Sequence, residues 1–510
     1  MIFSPSSIVA RPAPPAPHVA PSPHPSQKET PLLPDHGRTA DDLLAELTAL
    51  KAADLPVRGG RVTAYVYDTG RPGVHEAAHR AYAEMLEVNM LDPTAFPSMV
   101  ALEKRVIGAA AELLGRPDAA GIFTSGGTES IMLAVKAARD ARPGATRVVL
   151  PVTAHPAFHK AAHYLGMEIV PVPVDPDTFQ ASVPAVEAAV DDRTALVVVS
   201  APSYPQGVVD PVERIAAVAA SRGALCHVDA CVGGWLLPWL REAGAEVPPF
   251  DLSVPGVTSL SCDLHKYGYA PKGASVLLFA DPALRRHAYF ASGAWPGYTV
   301  INATVQSSRS AGPLAGAWAT MQSLGREGYR ELGRATLEAT RRLVLGVGAI
   351  PGLRVLGRPE AALVAIAGSA GVDVFVLADE ARRRGWFLQP QLSYAGIPAN
   401  LHITVTGVTL AGVDAMLQVI AESAEAARAN GPAKVPDGLP ELIASLDLDA
   451  LDDATFAELA SSVGIDLAGA AQGGGETGGG GMAAVNAVLD ALPAPTREAI
   501  LVRFLSVLYG

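Results

Sequence analysis

The chain has 510 residues, 49% of them hydrophobic, enough for a large core and about two subdomains with appendages. A net charge of −12 with no long basic run argues against a nucleic acid or an anionic membrane as partner. The three cysteines, Cys226, Cys231 and Cys262, make neither a disulfide framework nor a CxxC zinc pair. With no metal site and no apolar run of about 18 residues to cross a membrane, a soluble cytoplasmic protein is expected.

Residues 1–38 are dense in proline and are expected to form a disordered or extended tail without the apolar core of a signal peptide. Residues 39–120 make an N-terminal segment. It opens with an amphipathic helix, Asp41 to Ala53, whose aspartates suit a helix start. A strand-like burst follows over Gly59–Gly73, then a helix over His75–Leu91 and a long helix over Met99–Leu114.

Residues 121–312 carry the main pattern. GIFTSGGTESIMLAVKAARD starts apolar, passes through Ser-Gly-Gly-Thr-Glu-Ser and becomes a helix. Its glycines let the backbone approach a ligand, and free amides at the helix start favour a phosphate. The spacing fits neither a Walker loop nor a dinucleotide fingerprint, and a plain strand–turn–helix junction would read alike. Strands are predicted at Arg147–Val152 (with His155 just beyond), Glu168–Val174, Thr194–Ser200 and Ala224–Val228, alternating with helices. Asp229 closes the last of these strands, a ligand-site position in open α/β sheets, although an aspartate there can equally cap a turn. The alternation predicts a mainly parallel sheet in a three-layer α/β domain.

Two further strand-like runs, Gly256–Leu260 and Ala274–Ala280, flank SCDLHKYGYAPKG. Lys266 therefore falls on a short connection in the interior sheet. Burial disfavours an ammonium, and a neutral amine is what Schiff-base chemistry needs, whereas a loop lysine would be the plain alternative. Residues 313–430 read as a smaller α+β domain. Helices over Leu314–Leu345, Gly371–Arg384 and Leu410–Asn430 surround strands at Leu353–Leu356, Ala361–Ala367 and Leu401–Thr406. Residues 431–510 add an acidic–apolar piece, a glycine-rich linker over Gly469–Gly481 and two apolar helices, with a docking partner that the residues do not specify. His75 with His79, and His159 with His163, lie at helical spacings without a ligand set and read as surface or structural. Cys231 reads as a small packing residue.

The Gly126-Gly127-Thr128 turn, His155, Asp229 and the His265–Lys266 pair form the set that pyridoxal phosphate needs. A lysine holds the aldehyde, a carboxylate pairs with the ring nitrogen, a flat side chain covers one ring face, and helix-start amides hold the phosphate.

The same segments are similar to those of a known family. TSGGTESIMLAVKAARD, HVDACVGGW and DLHKYGYAPKG resemble sphingosine-1-phosphate lyases, within the group II pyridoxal-phosphate decarboxylases. AHPAFHKAAHYLGMEIVPVPV and GREGYRELGRAT extend the likeness in the same order over residues 40–428. The resemblance implies fold-type I, the aspartate-aminotransferase-like architecture, and a homodimer with shared active sites. It implies that Lys266 is the Schiff-base lysine, that Asp229 pairs with the pyridine nitrogen and that His155 stacks on the ring. Gly127 and Thr128, helped by His265, would hold the cofactor phosphate. Tyr67 matches a tyrosine near the substrate. Lys272 matches a second active-site lysine that binds phosphate or moves protons. Ser308 and Arg309 match a segment that reaches the neighbouring subunit's site. Two positions depart from the pattern. Asp92, in NMLDP, replaces a histidine that contributes to substrate phosphate binding, and Val300 stands where a tyrosine aligns. The expected activity is retro-aldol cleavage of a phosphorylated β-hydroxy amine, with amino-acid decarboxylation on the same scaffold as the alternative.

Overall fold

Seven short runs of β-branched and apolar residues pair into one sheet: β1 (Ala120–Thr124), β2 (Arg147–Pro151), β3 (Glu168–Val172), β4 (Thr194–Ser200), β5 (Leu225–Asp229), β6 (Ser259–Asp263) and β7 (Ser275–Phe279). Their order across the sheet is β1-β7-β6-β5-β4-β2-β3, and β7 alone runs antiparallel to its neighbours. Every residue of β4, β6 and β7 is buried, which is why they read as continuous apolar runs rather than alternating ones. This computed structural model describes residues 33–448, 450–462 and 481–509. Residues 1–32 of the tail expected over 1–38, and residues 469–480 of the linker expected over Gly469–Gly481, lie outside the described residues.

The chain divides into two compact units, Met1–Asp54 and Leu55–Gly510. The first unit contains helix α1 (Ala40–Leu50), capped by Thr39 Oγ1, which accepts from Asp42 N at 3.2 Å, and a 3₁₀ turn over Lys51–Ala53. The second unit begins with Leu55. Helices α2 (Pro72–Glu84) and α3 (Pro97–Leu113) each start on a proline, whose missing N–H costs a helix nothing there. Helices α4 (Gly127–Ala141), α5 (Ala157–Leu165), α6 (Val183–Ala189), α7 (Val212–Ser221) and α8 (Leu237–Glu242) alternate with the strands, and α9 (Pro282–Arg286) follows β7. A small ribbon of β8 (Phe290–Ser292) and β9 (Val300–Asn302) then leads to α10 (Gly312–Gly348), which breaks at Gly325.

The smaller domain is an antiparallel sheet of β10 (Leu353–Val355), β11 (Leu363–Gly368), β12 (Gln389–Gln391) and β13 (Asn400–Thr404), in the order β10-β11-β13-β12. Helices α11 (Val374–Arg383) and α12 (Thr409–Asn430) pack together beside it. The C-terminal stretch holds α13 (Leu439–Ser445), α14 (Asp453–Ser462), α15 (Met482–Ala491) and α16 (Ala494–Tyr509). Asp379 of α11 accepts the Ala483 amide at 2.9 Å and so anchors the start of α15. Among the described residues, no helix is long and apolar enough to cross a membrane.

One expectation fails outright. Gly59–Gly73 is not a strand: only Val62 finds a partner, in an isolated bridge to Phe387. The segment instead turns through Tyr65, held at φ 66° in the left-handed region.

Candidate active site

The parallel strands all end on one edge of the large sheet, and the site is built there. β5 ends at Asp229, β6 at Asp263, and β1 runs through Ser125 and Gly126 into α4. These ends enclose a cavity of about 380 Å³. Gly126, Gly127 and Thr128 line one side, and His155, Asp229, His265 and Lys266 line the rest. Seven of the sequence-derived site residues thus converge on one space.

Lys266 sits in the connection between β6 and β7, as expected, and its charge is paired. Burial works to strip its proton, yet the Asp263 carboxylate at 3.0 Å, with Cys231, Tyr67 and Asp229 nearby, outweighs burial and raises its pKa. The bare lysine is therefore a buried ammonium in an ion pair, not a neutral amine. Burial opposes the charge on Asp263 in turn, but Lys266 and His265 hold its pKa below the usual range. His265 stands 3.7 Å from Asp263 and is pulled below the ordinary imidazole value by burial first and by the two lysines second. Tyr267 fixes the loop from the other side, since its hydroxyl donates to Val405 O at 2.7 Å and lies 3.3 Å from Ala362 O.

Asp229 accepts the Cys231 amide on Oδ1 at 3.1 Å, so its own loop orients it. His155 Nδ1 accepts the Ala157 amide at 3.2 Å, which leaves Nε2 as the protonated nitrogen of the neutral ring. The start of α4 is shaped by absence of side chains. A Cβ on Gly127 would stand 2.7 Å from Cys231 Sγ and 3.0 Å from both Asp263 oxygens, and the His265 ring packs beside Gly126. Glu129 secures the turn by accepting from Ser125 N at 2.7 Å and from Val305 N at 2.9 Å.

A second cavity of about 250 Å³ shares His265 as a wall. Tyr67 and Lys272 line it, together with Arg58, Asp68, His75 and His79. The two histidines read as surface or structural are thus brought to the site by one face of α2. His75 Nε2 lies 3.2 Å from Asp68 Oδ1. Lys272 Nζ donates to Tyr65 O at 2.8 Å and stands 5.3 Å from the centre of the Tyr67 ring. Partial burial first, and the Lys266 charge second, lower its pKa. Tyr67 is partly buried, and its desolvation pushes its pKa up to about 12, so it stays a neutral hydroxyl.

Four expected positions fall elsewhere. Ser308 is exposed and lines neither cavity of its own chain, and Arg309 beside it donates to Phe123 O at 2.7 Å. Asp92 is exposed and caps the turn before α3, accepting from Thr94 N at 2.8 Å and from the Thr94 hydroxyl at 2.6 Å. Those hydrogen bonds hold its pKa below the usual range, and it lines neither cavity. Val300 begins β9.

Asp263, Glu129 and Tyr204 were not singled out from sequence. Asp263 could have been found as a second carboxylate at a strand end, one β-strand away from Asp229. Tyr204 lines the main cavity, stacks on His402 at 4.2 Å and donates to Gln389 Oε1 at 2.9 Å.

The residues present fit pyridoxal phosphate. The cavity holds an amine at Lys266, a buried carboxylate at Asp229, a helix start that a single Cβ would fill, and one orphaned carboxylate oxygen, Asp263 Oδ1.

Comparison with known proteins agrees. Residues 105–295 match the model of aminotransferase class-V, and residues 437–507 match that of a C-terminal putative HTH domain of pyridoxal-dependent enzymes. The chain is 39% identical to a sphingosine-1-phosphate lyase of Arabidopsis thaliana over 74% of this chain and 70% of that one. It is 36% identical to a probable L-tyrosine/L-aspartate decarboxylase of Methanothermobacter thermautotrophicus over 61% of this chain and 85% of that one. Among solved structures, the sphingosine-1-phosphate lyase Bpss2021 of Burkholderia pseudomallei matches with a TM-score of 0.73 and 36% identity, over 78% of this chain and 93% of that one. The chain belongs to the sphingosine-1-phosphate lyase family and is a pyridoxal-phosphate-dependent lyase of fold-type I.

Proposed function

We propose that this enzyme cleaves the Cα–Cβ bond of a phosphorylated β-hydroxy amine, giving an aldehyde and a phosphorylated amine. The observation that carries the reading is the second cavity, where Arg58 and the nitrogens of His75, His79 and Lys272 stand beside one carboxylate, Asp68, separated from the Lys266 cavity by the single wall of His265. An amine reacting at Lys266 would have its phosphate within reach of these groups. Pyridoxal phosphate, when bound, supplies the electron sink for the pair left on Cα. Lys266 would hold it by its aldehyde, Asp229 by its ring nitrogen, His155 by its face, and the first turn of α4 with His265 by its phosphate. Lys272 Nζ, whose pKa is lowered by partial burial and by the Lys266 charge, would accept the β-hydroxyl proton. Tyr67, neutral at all working pH, would orient that hydroxyl.

The decarboxylase reading draws on the archaeal relative. One assay separates the two. Loaded enzyme is given sphingosine-1-phosphate or a shorter-chain analogue and assayed for aldehyde and phosphoethanolamine, and in parallel is given a panel of amino acids and assayed for carbon dioxide. Aldehyde that disappears in Lys266→Ala supports the lyase, whereas carbon dioxide without aldehyde defeats it.

We also propose a cytoplasmic homodimer. Three free, buried cysteines suit a reducing compartment. Phe290, Trp295, Tyr298, Ile301 and Val305 are all exposed on or beside the β8–β9 ribbon of one chain, an apolar surface that a second copy would cover. The C-terminal module has eleven acidic and two basic residues over 437–507, a balance that repels a phosphate backbone, so we propose no nucleic-acid partner for it.

A further inference from the structure

The carboxylate of Asp263 is 2% exposed. Its Oδ2 meets Lys266 Nζ at 3.0 Å, but its Oδ1 has no hydrogen-bond partner among the described residues. A dry, unpaired carboxylate oxygen is costly and calls for an explanation. Its place suggests one. Both oxygens lie 3.0 Å from where a Cβ would stand on Gly127, the first residue of α4. That helix start is the anion seat of the cavity. A phosphate held there would face a buried carboxylate across a residue that has no side chain to part them.

Two anions in one desolvated site do not both keep their charge. The groups that face Asp263 decide which gives way. They are Lys266 and His265 on its own loop, the Ser275 hydroxyl opposite it on β7, which helps hold its pKa down, Lys272 beyond them, His155 after β2, and Tyr67 and Cys231. Asp229 adds a second carboxylate to the same cavity. Lys266 is the nearest of the compensating charges, at 3.0 Å, and its nitrogen is the one committed to the cofactor aldehyde.

We propose that Asp263 takes up one proton when the cofactor phosphate seats at the start of α4, and that its carboxyl group then becomes a donor toward that phosphate. The proton comes from solvent. Pyridoxal, which has the aldehyde but no phosphate, would not draw it. The proposal rests on pyridoxal phosphate being the resident cofactor: a wild-type protein that gains no visible-range band with it sinks both readings, whereas a band without the extra proton uptake sinks this one alone.

The test is calorimetry of cofactor-free protein with pyridoxal phosphate at about pH 8, in buffers of different ionisation enthalpy, on wild type and Asp263→Asn. Wild type should take up about one more proton than the variant, and its affinity should fall about tenfold more per pH unit. With pyridoxal the two proteins should agree. An infrared difference spectrum of wild type should gain a protonated-carboxyl band with pyridoxal phosphate and not with pyridoxal. Equal proton uptake in wild type and Asp263→Asn would overturn the proposal, since the proton would then reside on the phosphate. If the variant fails to fold, absence of the carboxyl band in wild type overturns it alone.

Discussion

Acid should unfold this protein through two histidines that it keeps neutral. His227 lies on β5, two residues before Asp229, wholly buried with Nδ1 2.8 Å from Ser259 Oγ and Nε2 3.2 Å from Ser261 Oγ. Burial drives its pKa down to about 4 against a weaker opposing pull from Asp229. His402 on β13 lies against the Tyr204 ring, and burial takes it to about 4 as well. In the unfolded chain both titrate near pH 6.5, so between about 6.5 and 4 the unfolded state binds more protons and stability falls with pH. At pH 5, each costs about 2 kcal/mol relative to pH 7.5.

Asp210 works the other way. Burial pushes it up to about 6 even though the Ala181 and Ser200 amides bond its oxygens. Its folded carboxyl group therefore gains a proton first as pH falls and returns about 1.4 kcal/mol by pH 5. The net loss is about 2.5 kcal/mol. Urea unfolding of the cofactor-free protein at pH 7.5 and pH 5 measures it. His402→Gln should be weaker than wild type at pH 7.5 but should lose about 2 kcal/mol less on acidification. A variant whose loss equals that of wild type would refute the reasoning, because His402 would then carry no proton debt.

Two substitutions probe the scaffold around the cofactor. Gly127→Ala places a methyl 2.7 Å from Cys231 Sγ and 3.0 Å from the Asp263 carboxylate, and overpacking of this kind costs about 1–3 kcal/mol. Spectrophotometric titration should show pyridoxal phosphate bound about 10- to 100-fold more weakly, with the fold retained by circular dichroism. Asp379→Ala removes the acceptor of the Ala483 amide and should weaken docking of α15 by about 0.5–2 kcal/mol. Limited proteolysis should then cut the C-terminal stretch faster while kcat holds, and an unchanged cleavage rate would mean that other contacts seat the helix.

The large sheet was legible because fully buried parallel strands announce themselves as β-branched runs, and TALVVVS is the plainest. Lys266, Asp229 and the Gly126–Thr128 turn were legible for a related reason: chemistry-bearing residues at strand ends stand out against apolar runs. Position alone did not reveal charge state. That Lys266 is an ammonium depends on Asp263, three residues away around a turn. VTAYVY alternates like a strand, yet the ladder it would need is missing, and the left-handed Tyr65 turns it across the site instead. β12 escaped notice because Pro390 sits inside it, which an edge strand tolerates and an interior strand does not. The pairing of His75 and His79 with a cavity could not be seen from helical spacing, since nothing local says what a helix face meets.

The hydroxyl of Tyr267 reaches from the residue next to Lys266 to the Val405 carbonyl, just past β13 of the smaller domain. The lysine is thus riveted across the domain seam by one covalent neighbour. Any sliding of the smaller domain is a pull on the lysine's own backbone, and any shift of that backbone is a load on the smaller domain. A hinge at this seam would carry the reactive nitrogen with it, so movement there registers as a change in where the amine points before it registers as an opening of the cavity.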